Sequence, residues 1–390
     1  MLLKNGNVIT ENEILYGYDV EITGDTITKI GKDLSGDEVI DASGKYVMPG
    51  LIDIHTHGGF GGDFSDATRE SYDKALSFHS KNGTTSLLTS SVTAPVEDIL
   101  KLIDMTRGYK EKENPVCRVL GAHIEGPFIS VKNKGAQKEE YLKVPSDGFD
   151  FISKHVDVIK TVTVSTELPG MADMIKELKS LGVVVAGGHD DGKEETIYPA
   201  IDSGLSLCTH WYCAMSTARV ENGKRSAGLM EIGLTDDRLT LELLADNHHI
   251  IPELLKMAYK MKGADKLVLV SDCLRAGGQP KDGRVYTLGR ENDTEATKFI
   301  VDLGVARLLD GTRFAGSITP LGVMIKNVTG VGIPLVDAVK MASITPAKVI
   351  GVDKLYGSVA EGKKADIYIA DEELNPQMTI VNGKIVNKEE

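Results

Sequence analysis

An α/β fold, a (β/α)8 TIM-like barrel carrying a small β-sandwich domain built from both termini, is what this sequence predicts, on three observations. Eight short β-rich runs succeed one another through the middle of the chain: "GLIDIH", "TTSLLTSSV", "RVLGAHIEG", "IKTVTVST", "GVVVAGGH", "LSLCTHW", "LTLELLAD" and "KLVLVSD". Segments of helical period separate several of them. The two ends of the chain are β-rich and unlike the middle. A doubly wound open sheet is the alternative arrangement, but no GxGxxG follows the first strand and no P-loop is present.

The ends come first. "MLLKNGNVIT", "YGYDVEITGDTITKIG" and "VIDASGKYVMPG" alternate apolar and polar residues between Gly, Asn and Asp turns, and "KKADIYIADEEL" and "MTIVNGKIV" repeat that character at the other end. Residues 1–48 with 358–390 are therefore expected to assemble the small domain, and 49–357 the barrel. Within the barrel, Val96, Ile99, Leu100 and Ile103 follow Pro95 at helical spacing, as do Met171, Met174, Ile175, Leu178 and Leu181 after Pro169. Ser65 or Asp66 is a candidate N-cap, and Gly83 and Gly182 are candidate stops.

The chain length of 390 residues exceeds what one core usually serves, which agrees with a large domain and a smaller companion. A formal charge of −13 gives no electrostatic footprint for nucleic acid or membrane, so an anionic substrate needs a local positive site. No apolar run approaches the roughly 18 residues that span a bilayer. The N-terminus lacks the features of a secretory signal, and a cytoplasmic protein is expected. Cys117, Cys208, Cys213 and Cys273 form no CxxC pair and read as reduced thiols.

Polar residues collect at the ends of the β runs. His55 and His57 close the first, Glu125 the third, His189 the fifth, His210 the sixth and Asp272 the eighth. In a barrel all these ends meet at one rim, where active sites of the fold lie. Residues i and i+2 of a strand face the same side, so an HxH pair can grip one ion from two directions. Neutral imidazoles with a carboxylate suit zinc or another borderline divalent ion. Each residue also has a plain structural explanation: Glu125 as a salt-bridge partner, Asp272 as a helix N-cap, the histidines as polar strand ends. Close to a cation, Asp272 would stay ionised and could move a proton. His79 and His155 read as surface residues, His123 as a packed neighbour of Glu125, and none of these, nor His248, is assigned to an ion.

Taken in order, "PGLIDIHTHG", "GAHIEGPFIS" with "KGAQ", "GGH", "THWYCAM", "ADNHH", "SDCLRAGG" and "FAGS" resemble the motifs of the N-acetylglucosamine-6-phosphate deacetylases of the amidohydrolase superfamily. The likeness spans nearly the whole chain, with "HIEGPF" and "SDCLRAGG" its most specific parts. It implies metal-dependent hydrolysis of the acetamide of an amino-sugar phosphate to acetate and the free amine, in amino-sugar catabolism. By the match, Glu125, His189 and His210 would hold a principal ion, and His55 and His57, with Glu125 bridging, a second. One or two divalent ions per subunit follow, zinc first, with iron, manganese or cobalt as alternatives. An ion of this kind activates water and polarises the amide carbonyl.

Asp272 would then pass the proton from water to the leaving nitrogen. His249 in "ADNHH" would hydrogen-bond substrate or the tetrahedral oxyanion. Arg225 in "GKRSAG" matches an arginine that binds phosphate and can reach into a neighbouring subunit's site, which implies a homodimer. Gln137, Cys213, Ala214, Ala315 and Gly316 would line the sugar pocket.

Three departures bear on that pocket: Cys213 stands where the family commonly has Asn, "KRSAG" stands for "REPG", and "GHDDG" for "GHT" or "GHS". The loop from Met215 to Arg225 is long, which leaves Arg219 as an alternative to Arg225. The N-acetylgalactosamine-6-phosphate epimer therefore stays open as substrate, beside another amidohydrolase activity such as a deaminase or dipeptidase, or a scaffold without catalysis. The fourth strand, "TVSTELPG", lacks the lysine that cyclic-amide hydrolases of the superfamily carboxylate.

Overall fold

A computed structural model of the chain describes residues 1–112 and 115–389. Eight parallel strands occur where the eight β runs were expected: β1 (Leu51–Asp53), β2 (Thr84–Ser90), β3 (Arg118–Glu125), β4 (Ile159–Val164), β5 (Val184–Gly187), β6 (Leu207–Cys208), β7 (Thr240–Leu243) and β8 (Leu267–Leu269). Each pairs with its neighbours in chain order. The seam between β8 and β1 is drawn together just beyond the strands, where Asp272 N–H donates to His55 O at 2.9 Å and His57 N–H to Cys273 O at 2.9 Å. The Asp53 carboxylate adds to it, accepting Ser271 N–H at 3.2 Å.

Alternation along the strands divides their apolar residues between two cores. Ile52, Leu88, Leu120, Ala186, Leu207 and Val268 cluster inside the barrel with Ile344 and Ala347 of a late helix. Their neighbours Leu51, Leu87, Val119, Val185, Cys208 and Leu267 join the larger core under the outer helices. Seven helices follow the strands in turn: α1 (Arg69–Lys81), α2 (Val96–Glu111), α3 (Asp150–Ser153), α4 (Met171–Ser180), α5 (Glu194–Ser203), α6 (Leu229–Thr235) and α7 (Pro252–Lys262). The spacing in α4 buries Met171, Met174, Ile175 and Leu178, whereas Leu181, the residue after the helix, is 41% exposed. The cap of α1 is Thr68, whose side chain accepts Ser71 N–H; Ser65 and Asp66 belong instead to a separate 3-10 turn capped by Asp63.

Both termini build one eight-stranded sheet. Its joint is Ile367–Ala370 running antiparallel to Tyr46–Pro49, which brings the last segment against the first. The sheet covers its own core, including Leu3, Val8, Val20, Ile27, Val47, Ile367 and Ile380. One element was not foreseen. Between β8 and the following helix Leu321–Gly330 lies a four-stranded antiparallel sheet (Val285–Thr287, Lys298–Asp302, Val305–Leu308, Phe314–Gly316). Its strands are only three to five residues long, too short for alternation to declare them. No described helix is long and apolar enough to cross a membrane.

Candidate metal centre and active site

The strand-end residues do converge. Glu125 is the last residue of β3, and His55, His57, His189, His210 and Asp272 lie two to four residues past the ends of β1, β5, β6 and β8. His189, His210 and Asp272 hold left-handed backbone, with φ of 47°, 29° and 43°. Such conformations cost roughly 1–3 kcal/mol each and survive only where surrounding structure fixes them. Here they turn each side chain from the strand direction into the barrel mouth.

Two groups of three form, Glu125 with His189 and His210, and His55 and His57 with Asp272. In the first, His189 Nε2 and His210 Nε2 lie 3.2 and 3.1 Å from Glu125 Oε1 and 3.1 Å from each other. His189 Nδ1 faces Asn133 O at 2.9 Å, a carbonyl that can only accept, so Nδ1 carries a proton and Nε2 is left to give a hydrogen to Glu125 or a lone pair to a cation. In the second, His57 Nε2 is 3.2 Å and His55 Nε2 3.6 Å from Asp272 Oδ1. Glu125 touches both groups, with Oε1 3.5 Å from His55 Nε2 and Oε2 3.5 Å from His57 Nε2.

His55 shows the orientation most clearly. Its Nδ1 meets Glu242 Oε2 at 3.1 Å, while its Nε2 is buried without a hydrogen-bond partner and aimed at Glu125 and Asp272. A ring held by a carboxylate on one nitrogen and bare on the other is the posture of a metal-binding imidazole. Lone pairs crowded together and an orphaned buried nitrogen fit a divalent cation in each group, of borderline character for a nitrogen and carboxylate set.

The charges agree. Burial works against ionisation at Glu125, yet the hydrogen bonds from His189 and His210 hold its carboxyl well below the usual range. Burial likewise opposes a charged His55, but the Glu242 hydrogen bond and the charges of Glu125 and Asp272 push it up to about 10. His57 is raised for the same reason, with Asp272 as its partner. These carboxylates create a field that demands positive charge, which a proton or a cation can meet.

Around the centre opens a cavity of about 440 Å³. Its lining includes His57, Glu125, His189, His210 and Asp272 at the base, and Gln137, Cys213, Ala214, His249, Ala315 and Gly316 from the expected pocket. Gln137 is tied in, donating to Glu125 Oε2 at 2.8 Å and accepting Thr93 N–H at 2.8 Å. His249 Nδ1 lies 2.7 Å from Asp246 Oδ2, and its ring packs edge-on to Phe314. Arg225 is not brought in: it sits exposed on a hairpin (Arg219–Glu221 with Lys224–Ser226) away from this lining. Arg219 is spent on Asp191, at 3.3 Å from Oδ1, and on backbone carbonyls.

Some participants escaped sequence reasoning. Glu242 also accepts His210 N–H at 3.0 Å, so it steadies a histidine of each group. Its signal was a lone glutamate in the otherwise apolar "LTLELLAD", since a buried carboxylate needs a partner. Asp190 of "GHDDG" accepts from Thr166, Gly192 and Ser216, and so ties together the segments that follow β4, β5 and β6. His79, expected at the surface, is buried, bonded to Thr56 Oγ1 at 2.9 Å and near Gly58 O at 3.1 Å. His123 packs behind His55, its two nitrogens met by Ser90 and Thr163 hydroxyls.

Comparison with known proteins agrees with this geometry. Residues 46–386 match the model of the amidohydrolase family. The chain is 32% identical to N-acetylglucosamine-6-phosphate deacetylase of Bacillus subtilis (strain 168), over 99% of this chain and 96% of the relative. It is 30% identical to N-acetylgalactosamine-6-phosphate deacetylase of Escherichia coli O157:H7, over 90% of each. Among solved structures, a mutant N-acetyl-D-glucosamine-6-phosphate deacetylase from Mycobacterium smegmatis, in complex with N-acetyl-D-glucosamine-6-phosphate, superposes with a TM-score of 0.88 at 28% identity, covering 99% of both chains. A barrel of eight parallel strands, donor groups at its C-terminal rim and a family match across most of the sequence lead to one conclusion: the chain belongs to the amidohydrolase family.

Proposed function

We propose that this protein hydrolyses the acetamide of N-acetylglucosamine-6-phosphate, giving acetate and glucosamine-6-phosphate. The observation that carries the reading is Glu125 touching both donor groups, with Asp272 against His57, at the base of a cavity of about 440 Å³. That volume lies in the range of small-ligand sites. Relatives that cover nearly the whole chain and carry this activity in their names support the substrate class.

Glu125, His189 and His210 would hold one divalent cation, and His55, His57 and Asp272, with Glu125 shared, a second. When bound, such a cation acidifies water and polarises the carbonyl oxygen, and zinc, iron, manganese or cobalt suits the donors. The remaining work falls to the chain. Burial favours a neutral Asp272, but the hydrogen bond from His57 and the charges of His55 and His57 keep its carboxyl below the ordinary range, hence ionised. Asp272 accepts a proton from the attacking water as the oxygen bonds to the acetamide carbon. It returns that proton to the nitrogen as the C–N bond breaks, so the amine leaves neutral. Glu242 and Asn133 hold His55 and His189 in the ring orientation this needs. His249, with Nδ1–H given to Asp246, would donate from Nε2 to the oxyanion when the ring is doubly protonated.

Arg225 enters this reading through a second copy. On an exposed hairpin outside its own cavity it would serve the phosphate of a neighbouring subunit in a homodimer, where a fork of donors matches phosphate oxygens. The cytoplasm is the expected compartment.

The test is acetate release from a panel of N-acetylhexosamines of both epimers, with and without a 6-phosphate, on protein whose metal has been counted. Acetate from the phosphorylated gluco epimer is expected. Release only from the galacto epimer would move the substrate, and metal-loaded protein inert on every phosphorylated amide would sink the reading.

A further inference from the structure

We propose that Arg313, in the same chain as the metal centre, helps to select an anionic, phosphate-bearing ligand at the cavity mouth, in addition to the Arg225 that a second copy would bring; the inference rests on the deacetylase reading and gives its substrate class an origin within the chain. The starting point is charge. The cavity base carries Glu125 and Asp272, which repel an anion, and the lining has a single lysine or arginine among the described residues, Arg313. Within the chain, no other fixed positive charge lines the cavity that a phosphorylated sugar would enter.

The position fits. Arg313 immediately precedes Phe314–Gly316, the last strand of the rim sheet, all three residues of which also line the cavity. Its Nη1 reaches across the mouth to Gly135 O at 3.5 Å, at the limit of a hydrogen bond and readily exchanged for a stronger acceptor. Gly135 in turn abuts the His189 ring, so closely that a Cβ added there would lie 3.2 Å from Cε1. The guanidinium thus hangs over the opening one residue removed from the candidate metal centre. Its strand is steadied by Phe314, whose ring packs edge-on to His249 and holds the Arg307 guanidinium 5.0 Å from its centre.

The group is lightly engaged, since the exposed Asp310 feels its charge without pairing to it. No carboxylate lies within ion-pairing distance of Arg313 among the described residues, whereas Arg219 is held by Asp191 and Arg225 lies off the cavity. An exposed guanidinium with free donors, over a cavity whose base is acidic, orients a ligand that has an acetamide at one end and a phosphate at the other. The phosphate stays at the mouth with Arg313, bound through two parallel hydrogen bonds, and the acetamide goes to the base.

The experiment compares binding of glucosamine-6-phosphate and glucosamine by calorimetry to metal-loaded wild type, Arg313→Gln, Arg313→Lys and the control Arg284→Gln. Arg284 is exposed, pairs with Asp282 and lies outside the cavity. Wild type and the control should prefer the phosphorylated sugar, and Arg313→Gln should cut that preference by roughly ten- to hundredfold. Arg313→Lys should fall between, because it keeps the charge and loses the fork. An unchanged preference in Arg313→Gln, or no preference in wild type, overturns the inference. Acetate release by wild type is scored separately: its absence beside an Arg313-dependent preference would refute the deacetylase reading and leave the anion site standing.

Discussion

Asp272 Oδ1 stands 3.2 Å from His57 Nε2 and 3.6 Å from His55 Nε2, so the proposed proton carrier is also placed as a donor to the second cation. Asp272→Asn separates the two roles. Turnover should fall about 10²–10⁴-fold, the usual worth of a general acid–base group, with metal at the Glu125 group retained. A variant that keeps turnover would assign the proton to another residue, and one that loses all metal would make the carboxylate chiefly a ligand. Glu242 supplies the second residue-scale prediction. Glu242→Gln removes the charge facing His55 Nδ1 and should weaken metal binding roughly 10–100-fold while the fold persists, measured by metal competition and circular dichroism. At this scale the legible part was what strand ends announce. His55, His57, Glu125, His189, His210 and Asp272 interrupt apolar runs, and all converge. Glu242, Asn133 and Arg313 were hidden for distinct reasons: one lies inside a strand, one acts through its carbonyl, and one precedes a strand of an unforeseen sheet.

Strands of a parallel barrel are covered on both faces and read as near-continuous apolar runs, which is why all eight are visible in the sequence. Helix faces were equally plain, but the ends of elements were not. Apolar periodicity says which side of α4 is buried, and the register of its last turn decides that Leu181 is left out. Met174→Ala should therefore cost about 2–5 kcal/mol, and Leu181→Ala under about 0.5 kcal/mol, in denaturant unfolding. Equal effects would mean that the packing face of α4 is misplaced. At the start of α1, Thr68 Oγ1 accepts Ser71 N–H at 3.2 Å, and Thr68→Ala should cost about 1 kcal/mol by the same measurement. Three residues earlier, Ser65 offered the same capping chemistry. Only the 3-10 turn capped by Asp63 distinguishes them, and that turn has no periodic signature.

Across the whole molecule, the candidate donors come from the ends of β1, β3, β5, β6 and β8, so bound cations would tie together opposite sides of one barrel. Ligands that bind only the folded state stabilise it by mass action. Removing metal with a chelator should lower the thermal unfolding temperature, and readdition should restore it; an unchanged temperature would mean that these strands need no ion to stay together. Arg225 on its exposed hairpin belongs to the same scale, because its proposed role needs a second copy. Light scattering should give twice the chain mass of 42.1 kDa, and a monomer active on phosphorylated substrate would dismiss that role. The terminal sheet was readable as two β-rich ends, but its joint, Ile367–Ala370 against Tyr46–Pro49, pairs residues more than three hundred positions apart and leaves no local trace. The central claim is that these strand-end residues form a metal centre that hydrolyses an acetamide. Acetate released from N-acetylglucosamine-6-phosphate, measured as metal is titrated back into stripped protein, tests it most directly. The account predicts no release without metal and a rise to a plateau at one or two ions per chain; full release from stripped protein, or none from loaded protein, would contradict it.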